Sequence, residues 1–245
     1  MNEPLVSIIV PTYGSDLNYL FQTLNSVLNQ TYKNIEVVVV DDCSPNIEVD
    51  SISNRYNYDN RIKILKLHYN SGGGGARNLG LSNSNGEYIA FCDSDDVWPH
   101  DKLEKQIYFM ISQGIKLSHS DKINFKPGYF NLVSTAPLIN LKHFLTYTDL
   151  YCSSVCIKKS IIKNSKFGEM KMRHPFKMWC CLLEEVEHSV RCRDTFFYYR
   201  VRKDSVSSNK WKKLLYTFLA YCFYSPNMII GFTYFIKRSF RPSSR

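Results

Sequence analysis

The chain has 245 residues, 44% of them apolar, an ordinary globular share that suits one large α/β domain or two small ones. Its net charge of +9 lies at one end: from Arg200 onward ten Lys and Arg face a single acid, Asp204, while the residues before it balance. A basic tail on a neutral body points to a polyanionic surface, but no RNA or DNA motif is present, and the tail's apolar content favours an anionic leaflet over nucleic acid.

Met1-Asn2-Glu3-Pro4 lacks the basic region of a secretory signal, and the apolar Val6–Val10 is too short for its core, so a cytoplasmic chain is expected. The eight cysteines, Cys180-Cys181 among them, lack the paired spacing of zinc sites and read as buried thiols of a reducing compartment.

In chain order, Val6–Val10 is a short β-branched run and reads as a central strand ended by Pro11. Gly14-Ser15-Asp16 supplies turn and N-cap chemistry, and Leu17, Leu20, Phe21, Leu24, Val27 and Leu28 then recur at helical spacing. Ile35–Val40 is a second apolar strand, ending at Asp41-Asp42; Asp50–Tyr58 reads as helix and Ile62–Leu67 as a third strand. Asn70-Ser71-Gly72-Gly73-Gly74-Gly75 reads as a loop, with a helix from about Ala76. Tyr88–Cys92 is the fourth strand, and Lys102–Gln113 reads as a helix.

Strands alternating with helices imply βαβ units and a mostly parallel sheet covered on both faces. Right-handed crossovers then place the C-terminal strand ends on one rim, where ligands of such sheets bind. Thr12-Tyr13, Asp41-Asp42, the glycine loop and Asp93-Asp95-Asp96 are expected to converge there.

After Ile115 the alternation weakens. Tyr129–Val133, Ser153–Ile157 and Phe196–Val201 read as strands, and Leu141–Thr146 and Phe176–Glu187 as helices.

The stretch Phe91-Cys92-Asp93-Ser94-Asp95-Asp96-Val97-Trp98 organises the chain, because a buried strand ends there in three carboxylates within four residues. Uncompensated, they repel one another, and a hard divalent cation with oxygen ligands removes that repulsion. On an extended segment Asp93 and Asp95 point the same way; the alternative is a solvated turn capping the next helix.

The four glycines let backbone approach a ligand closely. They follow the third strand and miss the spacing of a dinucleotide fingerprint, which weighs against that use. Arg77, in the helix that follows, is placed to pair with a phosphate or else is a solvated helix arginine. Asp41 or Asp42 suits the imide N–H of uracil, thymine or guanine, with a turn or helix cap as the alternative.

These blocks carry a resemblance. VSIIVPTY (Val6–Tyr13), QTYKNIEVVVVDDCS ending at Ser44, NSGGGGARNLG (Asn70–Gly80) and FCDSDDVWPHDKLEKQ (Phe91–Gln106) resemble, in order and at family spacing, the signature of the family 2 nucleotide-sugar glycosyltransferases. Tyr198-Tyr199-Arg200-Val201 with Ser205-Val206-Ser207-Ser208 resembles that family's closing loop.

The resemblance implies a GT-A fold: an α/β, Rossmann-like, mixed but mostly parallel sheet with helices on both faces. Here residues 1–114 would form the donor half and 115–208 the acceptor half, followed by a helical tail, 209–245. It implies an inverting transferase that uses Mn²⁺ or Mg²⁺, a nucleotide-sugar donor (UDP favoured) and a glycan or lipid-linked acceptor of bacterial surface polysaccharide. Carried over by position, Pro11, Thr12, Tyr13, Asp41 or Asp42, Gly74, Arg77, Asp93 and Ser94 would hold the donor, and Asp95 with Asp93 the metal. A donor-binding partner subunit without catalysis is the competing function.

One departure from the family stands out. Relatives carry an acidic pair before a helical Trp, the second acid being the general base. Aligned on Trp179, that pair becomes His174-Pro175, and proline cannot take a proton. His174 as substitute base, a displaced Glu169 or Glu184, and a crippled enzyme remain as alternatives.

The segment Leu214–Ile236 has no charged residue, yet Ser225-Pro226-Asn227 and Gly231 interrupt it, and Lys210, Lys212, Lys213, Lys237, Arg238 and Arg241 flank it on both sides. Two short interfacial helices on the inner face of the cell membrane are expected, with a core helical hairpin as the alternative.

Overall fold

The computed structural model describes residues 3–45, 48–147, 149–170, 173–202 and 210–224, with Asn227, Ile229 and residues 233–236. The expected closing serines and the basic residues from Lys237 onward lie outside the described residues.

The first half alternates as its apolar runs require. Strands β1 (Val6–Thr12), β2 (Ile35–Asp41), β3 (Ile62–Lys66) and β4 (Tyr88–Phe91) are separated by helices α1 (Leu17–Leu28), α2 (Glu48–Tyr56) and α3 (Gly72–Ser82). All four strands are parallel, in the order β3-β2-β1-β4.

The chain continues through α4 (Lys102–Gln113), β5 (Leu117–Lys126), β6 (Tyr129–Val133), β7 (Leu138–Asn140), α5 (Leu141–Tyr147), β8 (Cys156–Lys158), α6 (Pro175–Val186), β9 (His188–Arg200) and α7 (Lys210–Tyr224). Its strands extend the same sheet through β4-β8-β5-β9-β7, with β6 pairing along the outer part of β5. The β4–β8, β5–β8, β7–β9 and β5–β6 pairs are antiparallel and β5–β9 is parallel.

The two faces of the strands feed two cores. Ile9, Val38, Val40, Ile89 and Phe91 pack toward α3, α5 and α6, while Ile8, Val10, Val37, Val39 and Ala90 pack toward α1 and α4. This is the strand period of two acting on strands buried on both sides.

Helix α3 departs from the expectation drawn from the glycines: it begins at Gly72, so Gly73, Gly74 and Gly75 form its first turn. Crowding explains this. A Cβ on Gly74 would stand 2.2 Å from the Gly168 carbonyl oxygen, and one on Gly73 2.9 Å from His174 Nε2. The close approach of Gly168 and His174 therefore demands glycine and overrides its poor helix propensity.

The described part of the tail also differs from a helix lying free on a surface. Ala220 and Tyr221 are buried in the core shared with α5 and α6, and the Tyr221 ring lies 4.9 Å from that of Phe176. Leu214, Leu215 and Phe223 of the same helix are exposed. Among the described residues no helix is long and apolar enough to cross a membrane. All eight cysteines are free, and burial pushes the Cys152 and Cys156 thiols up to about 12.

Candidate active site

The ends of β1 and β2 lie side by side, with Thr12 opposite Asp41 and the Asp42 amide donating to the Thr12 carbonyl at 2.9 Å. The two acids differ in what they do. Asp42 accepts from the Ser71 amide through Oδ1 at 2.7 Å, which ties it to the N-terminus of α3, and burial raises its carboxyl pKa. Asp41 is 1% exposed and accepts from the Ser44 amide through Oδ1 at 3.0 Å, whereas its Oδ2 is buried with no partner. A buried oxygen left without a donor is costly, and an incoming N–H is what it lacks.

Pro11 is buried opposite Val40 and holds the strand end, while Tyr13 is 53% exposed beside it. Thr12 Oγ1 donates to Ser15 Oγ, which lies 2.9 Å from Ser94 Oγ, so hydroxyls join the first strand to the acid stretch.

The acid stretch is a turn, not an extended segment: the Asp96 amide donates to the Asp93 carbonyl at 3.0 Å. Each of the two outer acids has an arginine partner, and Asp93 and Asp95 stay close enough to repel one another. Asp93 pairs with Arg77, and Asp95 Oδ2 pairs with Arg202 at 2.8 Å. Arg77 is accordingly neither solvated nor free: its side chain is 5% exposed and also donates to the Gly73 carbonyl at 2.7 Å.

Asp96 is buried under the turn, accepting from Ser153 Oγ at 2.5 Å, and Ser153 in turn accepts from the Asp93 amide at 3.0 Å. Burial, then repulsion from Asp93, pushes the Asp95 carboxyl upward; the same two causes, with Asp95 adding to the repulsion, push Asp96 well above the usual range. Among the described residues no three His, Cys, Asp or Glu side chains converge as a ready metal set. Asp93 and Asp95 offer the carboxylate oxygens that a hard divalent cation takes, and their mutual repulsion is what such a cation would relieve beyond the two arginines.

Ser153, Arg200 and Arg202 escaped sequence reasoning as parts of the site. Arg200 donates through Nε to the Asp95 carbonyl at 3.0 Å, from more than a hundred residues away. Its only sequence signal was its place in the block resembling a closing loop.

A profile described as Glycosyl transferase family 2 matches residues 7–155. The chain belongs to this family. An uncharacterized glycosyltransferase of Haemophilus influenzae is 34% identical over 223 residues, covering 90% of this chain and 89% of its own length. An Escherichia coli protein named UDP-Glc:alpha-D-GlcNAc-diphosphoundecaprenol beta-1,3-glucosyltransferase WfaP is 37% identical, covering 86% of this chain and 83% of its own. Among solved structures, S. aureus TarS 1-349 in complex with UDP-GlcNAc superposes with a TM-score of 0.74 at 20% identity, covering 96% of this chain and 71% of the other. That likeness confirms the GT-A fold. A Bacillus subtilis relative named "Putative teichuronic acid biosynthesis glycosyltransferase TuaG" is 33% identical, covering 89% of this chain and 88% of its own length.

In this glycosyltransferase α6 begins at Pro175, and its first turn carries no acid. Trp179, one turn on, is buried edge-on to Phe91 at the end of β4, with ring centroids 6.3 Å apart, so the first turns of α6 are anchored to that strand end. His174 stands against Gly73 and Gly74; burial, then Arg77, pushes its imidazole pKa well below the ordinary value, and its Nδ1 is buried without a partner. Glu184 is exposed near the far end of α6, roughly 13 Å from Pro175 at 1.5 Å per residue. Glu169 is exposed next to Gly168, whose amide donates to the His174 carbonyl at 2.8 Å, so of the two displaced acids it is the nearer to the helix start.

Proposed function

We propose that this glycosyltransferase moves a sugar from a UDP-linked donor to a lipid-linked glycan acceptor, with inversion at the anomeric carbon, in the synthesis of a bacterial surface polysaccharide. The observation that carries the reading is the orphaned Asp41 Oδ2 at the end of β2, opposite Thr12, with the exposed Tyr13 next in the chain and the Asp93–Asp96 turn at the end of β4 on the other side of β1. An acceptor oxygen for an imide N–H, an aromatic face for a base and carboxylates for a diphosphate's cation lie along one rim. The relatives named for UDP-Glc donors and GlcNAc-diphosphoundecaprenol acceptors support the choice of donor and acceptor.

In this reading Thr12, Tyr13 and Asp41 orient the base, with Asp42 bracing the first turn of α3. Asp93 and Asp95 would hold Mn²⁺ or Mg²⁺; Mn²⁺ is named with GDP-Man for a structural neighbour from Pyrobaculum calidifontis. When bound, the cation supplies Lewis-acid stabilisation of the departing diphosphate. The acceptor hydroxyl loses its proton to a base held near the start of α6, where Glu169 and His174 are the groups at hand. The enzyme works on the inner face of the cell membrane, a placement supported by the exposed Leu214, Leu215 and Phe223 of α7.

A second reading, a donor-binding homologue that no longer turns over, is favoured by one observation, the proline at the first position of α6. Calorimetric titration with UDP, with and without Mn²⁺, tests the shared part of both: the wild type binds in a Mn²⁺-dependent manner and Asp95→Ala does not. Equal binding by Asp95→Ala rejects the metal assignment. Transfer to a lipid-linked acceptor then separates enzyme from binding subunit.

A further inference from the structure

Beyond Ser118, where its pairing with β8 ends, strand β5 is flanked by β6 and β9, and one face of this three-stranded stretch carries a cluster of large apolar side chains between Asp121 and Arg200. Phe130 lies opposite Phe125, and Phe125 opposite Arg200; in the next row Leu132 lies opposite Ile123, and Ile123 opposite Tyr198. Alternation puts these residues on a single face. Phe125, Phe130, Phe196 and Tyr198 form a connected ring cluster, with centroids 5.3 to 6.5 Å apart. Neither hydrophobic core takes in these rings, and Phe130 and Leu132 remain 69% and 59% exposed. A cluster of large apolar groups assembled outside the core marks a binding surface.

The face leads directly into the site. Arg200 stacks over Phe125 at 4.6 Å, donates to the Asp95 carbonyl at 3.0 Å, and is joined at the acid turn by Arg202. Apolar rings therefore run to a pair of guanidiniums, and those run to the carboxylates. A matching ligand has an apolar chain, then an anionic group, then the sugar that reacts.

We propose that this face seats the first part of the lipid chain of a prenyl-diphosphate-linked acceptor, with Arg200 at the junction of chain and diphosphate. The proposal rests on the lipid-linked acceptor reading above and adds the place where the lipid lies. Charge complementarity and continuity with the acid turn select this occupant over a bare bilayer, which would need no cation aligned with the reacting centre.

The test compares wild type with the double variant Phe130→Thr, Leu132→Thr, which keeps β-forming residues at exposed edge positions. Transfer is measured in detergent with GlcNAc-diphosphoundecaprenol and with the same head group on a short, water-soluble alkyl chain. The acceptor KM for the long chain rises at least about tenfold, from the lost apolar contact, while kcat, the donor KM and the short-chain KM stay put. Binding of farnesyl diphosphate, followed by calorimetry, weakens in parallel and gives a readout that needs no turnover. Unchanged farnesyl diphosphate affinity overturns the proposal, as does equal loss with both acceptors. Loss of sedimentation with anionic vesicles at unchanged acceptor KM also overturns it, assigning the face to the bilayer. UDP binding by the wild type is measured alongside: its absence would sink the transferase reading itself, whereas its presence beside an unaffected double variant sinks only the lipid seat.

Discussion

Gly74 and the carbonyl oxygen of Gly168 leave no space between them for a side chain: a Cβ on Gly74 would come within 2.2 Å of that oxygen. This contact locks the first turn of α3 against the segment that leads into α6, and so fixes Arg77 and the Asp42–Ser71 bond at the site.

Gly74→Ala is therefore expected to destabilise despite the ~1 kcal/mol that alanine gains in a helix. Overpacking against backbone costs roughly 1–3 kcal/mol, or more where the neighbour cannot yield. A lower melting temperature and weaker UDP binding should appear together. A variant that melts above wild type would show that Gly168 and His174 give way freely.

The two neighbouring acids at the end of β2 make a paired prediction. In Asp41→Asn the amide's oxygen can take the Ser44 amide, which leaves an NH₂ where the orphaned oxygen was. Facing a base imide N–H, that donor lowers UDP affinity by about ten- to a hundredfold, the cost of an unpaired buried group, while thermal stability holds. Asp42→Asn acts mainly on stability, since its carboxylate already serves α3. Calorimetry and thermal melts on both variants check the contrast. Equal UDP affinity in Asp41→Asn and wild type removes Asp41 from the donor site.

His119 gives a pH signature outside the site. It is fully buried in β5, with Nδ1 2.8 Å from Ser189 Oγ and Nε2 2.9 Å from the Ala136 carbonyl. Burial, partly offset by the bond to Ala136 and by Asp149 and Asp121, lowers its pKa from 6.5 to about 4; Arg191 lowers it too. The native state thus holds the neutral ring while the unfolded chain takes up a proton. The stability from this group is complete above about pH 6.5 and is lost as pH falls to about 4, a change on the order of 3 kcal/mol. The difference in unfolding free energy between wild type and His119→Asn should shrink by that amount across this window. A difference that is constant with pH contradicts the assignment.

How much of this was legible beforehand depended on whether local chemistry agreed with tertiary context. The apolar runs of β1, β2 and β4 and the helical spacing in α1 announced themselves, and Lys102–Gln113 was bounded as observed, with Gly114 in the left-handed conformation at its end. Strand β5 did not announce itself, because Ser118, His119 and Ser120 are polar and yet fully buried. They are tolerated there through partners distant in sequence, such as Gln106 and Ser189. The glycine run read as loop because only the unseen approach of Gly168 makes glycine necessary inside a helix. At the site, the acids were visible as a motif, but their pairing with Arg77, Arg202 and Ser153 depends on the fold, and no periodicity encodes it.

The final prediction concerns the first turn of α6. Trp179 packs against Phe91 at the end of β4, so the start of α6 keeps its place whatever side chain residue 175 carries. Proline suits the first helical position because its missing N–H would be unpaired there anyway. Aspartate suits it as well, since a carboxylate in the first turn is favoured by the helix dipole. Pro175→Asp should therefore fold and melt close to wild type while placing a proton acceptor at the position that the family resemblance, aligned on Trp179, assigns to the base. Transfer should rise, by up to the 10²–10⁴-fold that a general base typically supplies if wild type has none. His174→Ala separates the alternatives. The imidazole is neutral and so can accept a proton, but its depressed basicity makes it a weak base, and the variant lowers transfer only where His174 serves in that role. Glu169→Gln does the same for the exposed acid next to Gly168. If wild type transfers rapidly while Pro175→Asp, His174→Ala and Glu169→Gln all leave the rate unchanged, residue 175 does not occupy the base position, and the match anchored on Trp179 is wrong.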